Sequence, residues 1–417
     1  MNKYVNKILF LGLIFSLLMS SFCFATVEDS PIAVDSPAAI LMHIDTGNIL
    51  YEKDAYTRMY PASTTKVMTA ILVIESGHDL SEIATVSSTA ISTIPNGYST
   101  AYLQAGEQFT LEQLLNVLLL PSANDAANVL AEFISGSVQN FSDLMNEKAL
   151  KLGCIGTHFV NPSGIHDENH YSTAYDLCYI AKYALQNETF RKFVRKTYCS
   201  LPATEQYPSS DRVFTNTNSL IIPSTQENPN IYYYPYAIGV KTGYTTPAQN
   251  CLIAACSHDG LEFITVVLGS TNEYEYDGSS VRYLDTIKLF DYALKNYSYK
   301  KLVSKGDLVT EAQIKNATYD TQNLTVISDR DVSVLINSHD NSNILPEITL
   351  KNNLLAPIHV NDIVGTMKYT VMGIEYEANL VAGQEVKTST IYIKITAVML
   401  VALIIALIII LINSKEK

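Results

Sequence analysis

The sequence predicts an α+β fold: an antiparallel sheet drawn from both ends of the first domain, a largely helical insertion between them, then a small all-β domain and a C-terminal transmembrane helix. Three observations carry this expectation. Strand-like apolar runs occur near residues 38–53 and return only from about 237. Between them, apolar residues recur at helical spacing. From Lys300 to Val386, short alternating runs are punctuated by turn residues. At 417 residues the chain is long enough for two or three cores, and 47% hydrophobic with 17% charged residues argues against wholesale disorder.

Residues 1–25 read as a signal peptide: Lys3 and Lys7, the apolar run ILFLGLIFSLLM, then the small-residue exit SSFCFA with cleavage after Ala25. AAILMHI and NILYEKD flank Asp45-Thr46-Gly47 as strand, turn and strand. A helix begins near Ser63, with Val67, Ala70, Ile71 and Ile74 on one stripe and Gly77 as its stop. Thr110 and Gln113 form a capping box ahead of Leu111, Leu114, Leu115, Leu118 and Leu119. That helix must end near Pro121, which leaves Ser122 to Asn124 in a loop. Strands AIGVKTGY, NCLIAACS and LEFITVVLGS follow, the last two joined at Asp259-Gly260. The helical pattern YLDTIKLFDYALKNY closes the first domain, assigned to 26–297, and the β domain takes 298–388.

The run from Ile395 to Ile412 has no polar face, and at about 1.5 Å per residue it is about 27 Å long, enough for a bilayer core. A transmembrane helix over 393–412 with a cytoplasmic tail at 413–417 places everything before it outside the cell, at the membrane surface. Loss of the signal removes two lysines and no acid from a chain of formal charge −13, and so acidic an ectodomain argues against nucleic acid or other polyanions as partners. Of six cysteines one leaves with the signal, so the remainder cannot all pair. Cys251 and Cys256 stand at odd spacing in one strand, point to opposite faces and cannot bond each other. Small buried hydrophobes are the expected role.

PASTTK holds Ser63 with Lys66 three residues on, and on a helix the two share a face. A serine hydroxyl needs a base, and a lysine serves as one only if burial or a second cation lowers its pKa. The spacing alone is weak, since about one is expected by chance in such a chain, and Ser298 with Lys301 is another. Ser-x-Asn also occurs twice, at Ser122–Asn124 and Ser270–Asn272, whereas Lys241-Thr242-Gly243 is rarer. Order supplies the specificity: Ser63-Thr64-Thr65-Lys66, then Ser122-Ala123-Asn124, then Lys241-Thr242-Gly243 is the three-part signature of penicillin-binding proteins and serine β-lactamases.

Beyond the signature, YPASTTKVMTA, LLLPSANDAANVLAE, NPSGIHDENHYSTAYDLCYIAKYAL and IGVKTGYTTPAQNCLIAAC resemble the low-molecular-mass penicillin-binding proteins that are serine-type D-alanyl-D-alanine carboxypeptidases. LLAPIHVNDIVGTMKY and ANLVAGQEV resemble the β domain that follows the catalytic domain in many of them. The resemblance implies a β-lactamase/transpeptidase-like catalytic domain acting in peptidoglycan synthesis and cell-wall biogenesis, with no cofactor and no metal. Its substrate would be the peptidoglycan stem pentapeptide ending in D-Ala-D-Ala, and β-lactams would be inhibitors. It further implies that Ser63 is the nucleophile and acyl carrier, Lys66 its proton acceptor and Ser122 the proton relay. Asn124 would hold the peptide amide, Lys241 would supply the second cation, and Thr242 would bond the substrate carboxylate. Gly243 would let the substrate lie along the strand, and the backbone N–H groups of Ser63 and Tyr244 would form the oxyanion hole. Tyr244 stands where several members carry histidine; a backbone donor does not depend on that side chain.

Three other readings use the same residues. A class A β-lactamase needs a deacylating glutamate in E-x-x-L-N; Glu112 to Asn116 spells this, but ahead of Ser122 rather than after it, in the first turn of a capped helix. A catalytically weak penicillin-binding scaffold or sensor would keep the β domain while its serine site decays, yet all three motifs are intact. His166 and His170 in HDENH could suggest zinc, but they fall in a loop and not in H-E-x-x-H order.

Overall fold

The computed structural model describes residues 32–208, 212–271, 280–340 and 342–415. The expected signal segment, 1–25, lies outside them. Strands β1 (Ala38–His43) and β2 (Ile49–Lys53) form the predicted hairpin. Helices α1 (Lys66–Ile74), α2 (Leu111–Leu119), α3 (Asn124–Ser135), α4 (Val138–Lys151) and α5 (Ala174–Leu185) make up most of the insertion. Strands β3 (Ala237–Thr245), β4 (Gln249–His258) and β5 (Leu261–Ser270) complete an antiparallel sheet in the order β2-β1-β5-β4-β3. The chain's first strand thus pairs with β5, as the separated apolar runs required.

Period-two alternation gives this sheet two dry faces. Ile40, Met42, Ile253, Ala255 and Ile264 pack under the helical insertion. Leu41, Leu252, Ala254, Phe263 and Val267 face the other way, onto helix α6 (Val281–Asn296) through Leu289 and Phe290. Cys251 belongs to the first core and Cys256 to the second, on opposite faces as the odd spacing demands. All five described cysteines are free and buried, and burial pushes thiols such as Cys251 up, to about 11, where they are unreactive. The capping box forms as expected: Thr110 Oγ1 accepts from Gln113 N at 3.1 Å and Gln113 Oε1 from Thr110 N at 2.9 Å. α2 ends at Leu119, just ahead of Pro121.

From Tyr297 the chain enters a domain with its own core, including Leu324, Val326, Met367 and Leu380, built on a five-stranded and a two-stranded sheet. Ser298 and Lys301, the other serine–lysine spacing, lie in its first strand, Tyr297–Val303. Ser298 Oγ meets Ser338 Oγ and Lys301 pairs with Asp331 at 2.7 Å. Contacts that tie the domains include Tyr299 Oη, which donates to Asp45 Oδ2 at 2.9 Å, and Asn48 Nδ2, which donates to the Met372 carbonyl at 2.7 Å.

A final helix, α7, runs Thr390–Lys415. Its side chains are described only over 390 and 394–409, where they are exposed. Over the described residues no helix is long and apolar enough to cross a membrane, so the span expected at 393–412 is not established by the structure.

Candidate active site

The chain turns into the site through Ala62, held at φ 47°, and a single 3₁₀ turn, Ala62–Thr65, before α1 begins at Lys66. The sequence had suggested an α-helix from Ser63. The tighter turn serves the same end, because residues three apart eclipse in a 3₁₀ helix. Lys66 Nζ comes to 3.0 Å from Ser63 Oγ. Ser63 is partly open to solvent, while Lys66 is fully buried.

Two further atoms surround that amine: Asn124 Oδ1 and the Ser163 carbonyl, each 2.6 Å away. Both can only accept. A neutral amine has two hydrogens and one lone pair, so its hydrogens go to these two and the lone pair faces the Ser63 hydroxyl, the one neighbour able to donate. Burial drives the Lys66 ammonium well below its ordinary 10.5; the nearby Lys241 pushes the same way, and the charge of Asp125 opposes them. The largest cause is therefore the dry pocket, with the second cation next.

Ser122 follows Pro121 with φ 69°, a left-handed conformation costing an L-residue about 1–3 kcal/mol. The strain turns its Oγ into the site, where that atom is buried with no hydrogen-bond partner among the described residues. Asn124 opens α3, and Asp125 beside it accepts from the N–H groups of Ala101, Leu103 and Ala126. With Asn124 N bonded to the Ser99 carbonyl, α3 thereby pins segment 96–103 as one wall of the cleft.

The opposite wall is β3. Lys241 is buried, its Nζ donating to the Thr242 carbonyl at 2.9 Å, and burial with the neighbouring Arg282 lowers its pKa to about 7. A Cβ on Gly243 would lie 3.0 Å from Ser63 N and 3.1 Å from the Pro61 carbonyl, so any side chain here would push strand and serine turn apart by a few tenths of an ångström. Tyr244 is half exposed at the rim, and its backbone pairs with Asn250. Ser63, Ser122, Asn124, Thr242, Gly243 and Tyr244 line one cleft of about 380 Å³, with Lys66 and Lys241 beneath it.

Several contributors carried no readable signal in the sequence. Thr217 reaches Thr242 Oγ1 at 2.6 Å from a loop of no marked pattern. Arg282 lines the cleft, reaching toward the Gly243 carbonyl at 3.4 Å, with its Nε buried and unpaired among the described residues. Asn161 organises the loop that grips Lys66: its Oδ1 accepts from the N–H groups of Ser163 and Gly164. His170 is the brace behind the nucleophile turn. Its Nδ1 accepts from Val160 N at 3.1 Å, so the proton sits on Nε2, which donates to Thr65 Oγ1 at 2.8 Å. His166 instead packs edge-on against Tyr60. Among the described residues no group of three or more His, Cys, Asp or Glu is gathered for a metal. Glu112 stays in the first turn of α2, 3.7 Å from Lys196, and does not line the cleft.

A sheet-edge strand, a serine–lysine turn and a Ser-x-Asn loop meeting in one cleft define a serine hydrolase of the penicillin-binding type. Residues 25–272 match the family described as D-alanyl-D-alanine carboxypeptidase, and 297–388 match the penicillin-binding protein 5 C-terminal domain. The chain belongs to the D-alanyl-D-alanine carboxypeptidase family and is a serine-type peptidase. It is 34% identical over 347 residues to the D-alanyl-D-alanine carboxypeptidase DacF of Bacillus subtilis (strain 168), across 81% of this chain and 82% of that protein. Among solved structures, PBP3 of Streptococcus pneumoniae, a peptidoglycan synthesis regulatory factor, superposes with a TM-score of 0.66 at 24% identity. That likeness, over 85% of this chain and all of the other, concerns the fold alone. The Streptomyces K15 DD-transpeptidase superposes with a TM-score of 0.55 at 33% identity, over 63% of this chain and 98% of its own.

Proposed function

We propose that Ser63 attacks the carbonyl of the penultimate D-alanine of a peptidoglycan stem pentapeptide and holds the shortened peptide as an ester. Lys66 accepts the hydroxyl proton as the Oγ–carbon bond forms. The carbon–nitrogen bond then breaks, Ser122 passes a proton to the leaving amine, and free D-alanine departs. Water hydrolyses the ester and restores Ser63. The single observation that carries this reading is the Lys66 amine, buried 3.0 Å from Ser63 Oγ and held by two acceptors, Asn124 Oδ1 and the Ser163 carbonyl, at 2.6 Å each.

Asn124 has a second task here, holding the substrate amide through its side-chain N–H. Gly243 and Tyr244 receive the peptide as an added strand, and the Ser63 and Tyr244 N–H groups stabilise the oxyanion. Lys241, Thr242 and Arg282 gather positive charge and donors for the terminal carboxylate. The sequence supports an exported protein held at the cell membrane by α7, with catalytic and β domains outside and the tail at 413–417 inside. β-Lactams, which present a strained amide and a carboxylate to the same groups, acylate Ser63.

Two measurements test the proposal. Purified protein labelled with a fluorescent penicillin should lose the label in Ser63→Ala, and the wild type should release D-alanine from a pentapeptide. Labelling without D-alanine release points to a sensor or a transpeptidase, and rapid penicillin turnover to a lactamase; either outcome overturns the carboxypeptidase assignment.

A further inference from the structure

The concavity does not end with the cleft. A second groove of about 530 Å³ begins at the loop wall, and Ile165 lines both. Its floor reaches Ser163, whose carbonyl is bonded to Lys66 Nζ, so the groove starts one residue from the buried amine. Across it stands the last part of α3, with Glu132 and Gly136, facing Ser87 and Thr89 at the start of the short helix Ser88–Ser92.

The chemistry of this groove has one sign. Glu132 is a half-buried carboxylate, bonded by Ser87 Oγ at 2.6 Å, and among the described residues no cation pairs with it. Among the described residues no lysine or arginine lines the groove. The C-terminal end of α3, closed by Gly136 at φ 78°, adds the negative end of a helix dipole. By contrast Arg282, Thr242 and Thr217 define the other end of the cleft. A peptide with its terminal carboxylate there runs its N-terminal residues toward Ile165 and into the groove.

We infer that the groove is a subsite for a cationic side chain: it selects stem peptides in which the residue preceding D-Ala-D-Ala carries a free ammonium, with Glu132 as its counter-ion. The inference rests on the proposed carboxypeptidase reading. Binding a peptide there gives Glu132 the cation it lacks, and it prefers stems whose side-chain amine has not been capped or cross-linked.

The test compares two tripeptides, Nα-acetyl-L-lysyl-D-Ala-D-Ala with a free side-chain ammonium and its Nα,Nε-diacetyl counterpart. The ratio of their kcat/KM values is read, so any loss of folded fraction cancels. Wild type should favour the free ammonium about fivefold at low salt, as expected for a partly exposed ion pair, and less at high salt. Glu132→Gln should bring the ratio to about one, and Glu132→Lys should invert it. A ratio that Glu132 substitutions leave unmoved overturns the subsite. If neither peptide releases D-alanine, the carboxypeptidase reading fails instead, and the subsite is still judged by how strongly each peptide slows fluorescent-penicillin labelling. Equal protection by the two peptides in wild type sinks it.

Discussion

Replacing His170 with glutamine should flatten the acid limb of this protein's stability. His170 is buried, and burial holds its pKa at about 3 against an ordinary 6.5. The folded pKa is depressed, so the unfolded chain binds the proton first. Stability from this group is complete above 6.5 and drains away as pH falls toward 3. Between pH 7 and pH 5 the unfolded state takes up nearly one proton and the native state almost none, a loss of about 2 kcal/mol. That size depends on the unfolded value and hardly on the folded one, provided the latter stays below about 4. No discount for solvent screening applies, because the ring is 2% exposed. Glutamine keeps an acceptor for Val160 N and a donor for Thr65 but does not titrate. Urea unfolding of both proteins at pH 7, 6 and 5, followed by circular dichroism, gives the difference directly. Glu107 and Glu262, whose pKa values are lowered, also lose stability in acid, but below about 4.5 and in both proteins alike. Parallel pH slopes for wild type and His170→Gln would refute the reasoning, as would an imidazole resonance of His170 titrating near 6.5.

Other substitutions probe the cleft. Because Lys241 loses its proton as pH rises through about 7, kcat/KM for D-Ala-D-Ala peptides should fall above that pH. In Lys241→Gln, kcat/KM at pH 6 should be lower by about 10²-fold, and that alkaline limb should be gone. Gly243→Ala places a methyl against Ser63 N and the Pro61 carbonyl; it should cost about 1–3 kcal/mol of stability and slow penicillin acylation at least about tenfold in stopped-flow labelling. Arg282→Leu should raise KM about tenfold for a peptide with a free terminal carboxylate but not for its amide, the signature of a lost charge-assisted bond.

Local chemistry was legible in the sequence wherever it sufficed to determine structure. Thr110 and Gln113 announced the start of α2 and Pro121 its end, because caps and prolines act within one turn. The turn at Asp259-Gly260 was readable for the same reason, both residues having positive φ. The odd spacing of Cys251 and Cys256 placed them in separate cores. Ser63, Lys66, Ser122, Asn124, Lys241 and Gly243 were visible as ordered motifs, and the fold brings them to one cleft or directly beneath it. What stayed hidden acts across long sequence separations. The Ser163 carbonyl, Arg282 and Thr217 lie 97, 39 and 25 residues from the groups they meet. Nothing in HDENH showed that His170 would brace Thr65 from 105 residues away. The sequence also credited Lys241 with keeping Lys66 neutral, whereas burial does more, and burial cannot be counted before the pocket is built.

These contacts between the domains have a consequence for reach. Tyr299 and Met372 hold the sheet at the hairpin turn beyond His43, and the strand registers put His43, Phe263, Cys256 and Ala237 at that same end. Leu268, Asn250 and Gly243 mark the other end, so about five residues of strand, roughly 17 Å, separate the grip from the cleft. The β domain therefore acts as a handle that points the opening away from itself. Under the proposed function, the length of this handle sets how far Ser63 stands from whatever holds the C-terminus, and shortening or lengthening it would move that reach without touching a residue of the cleft.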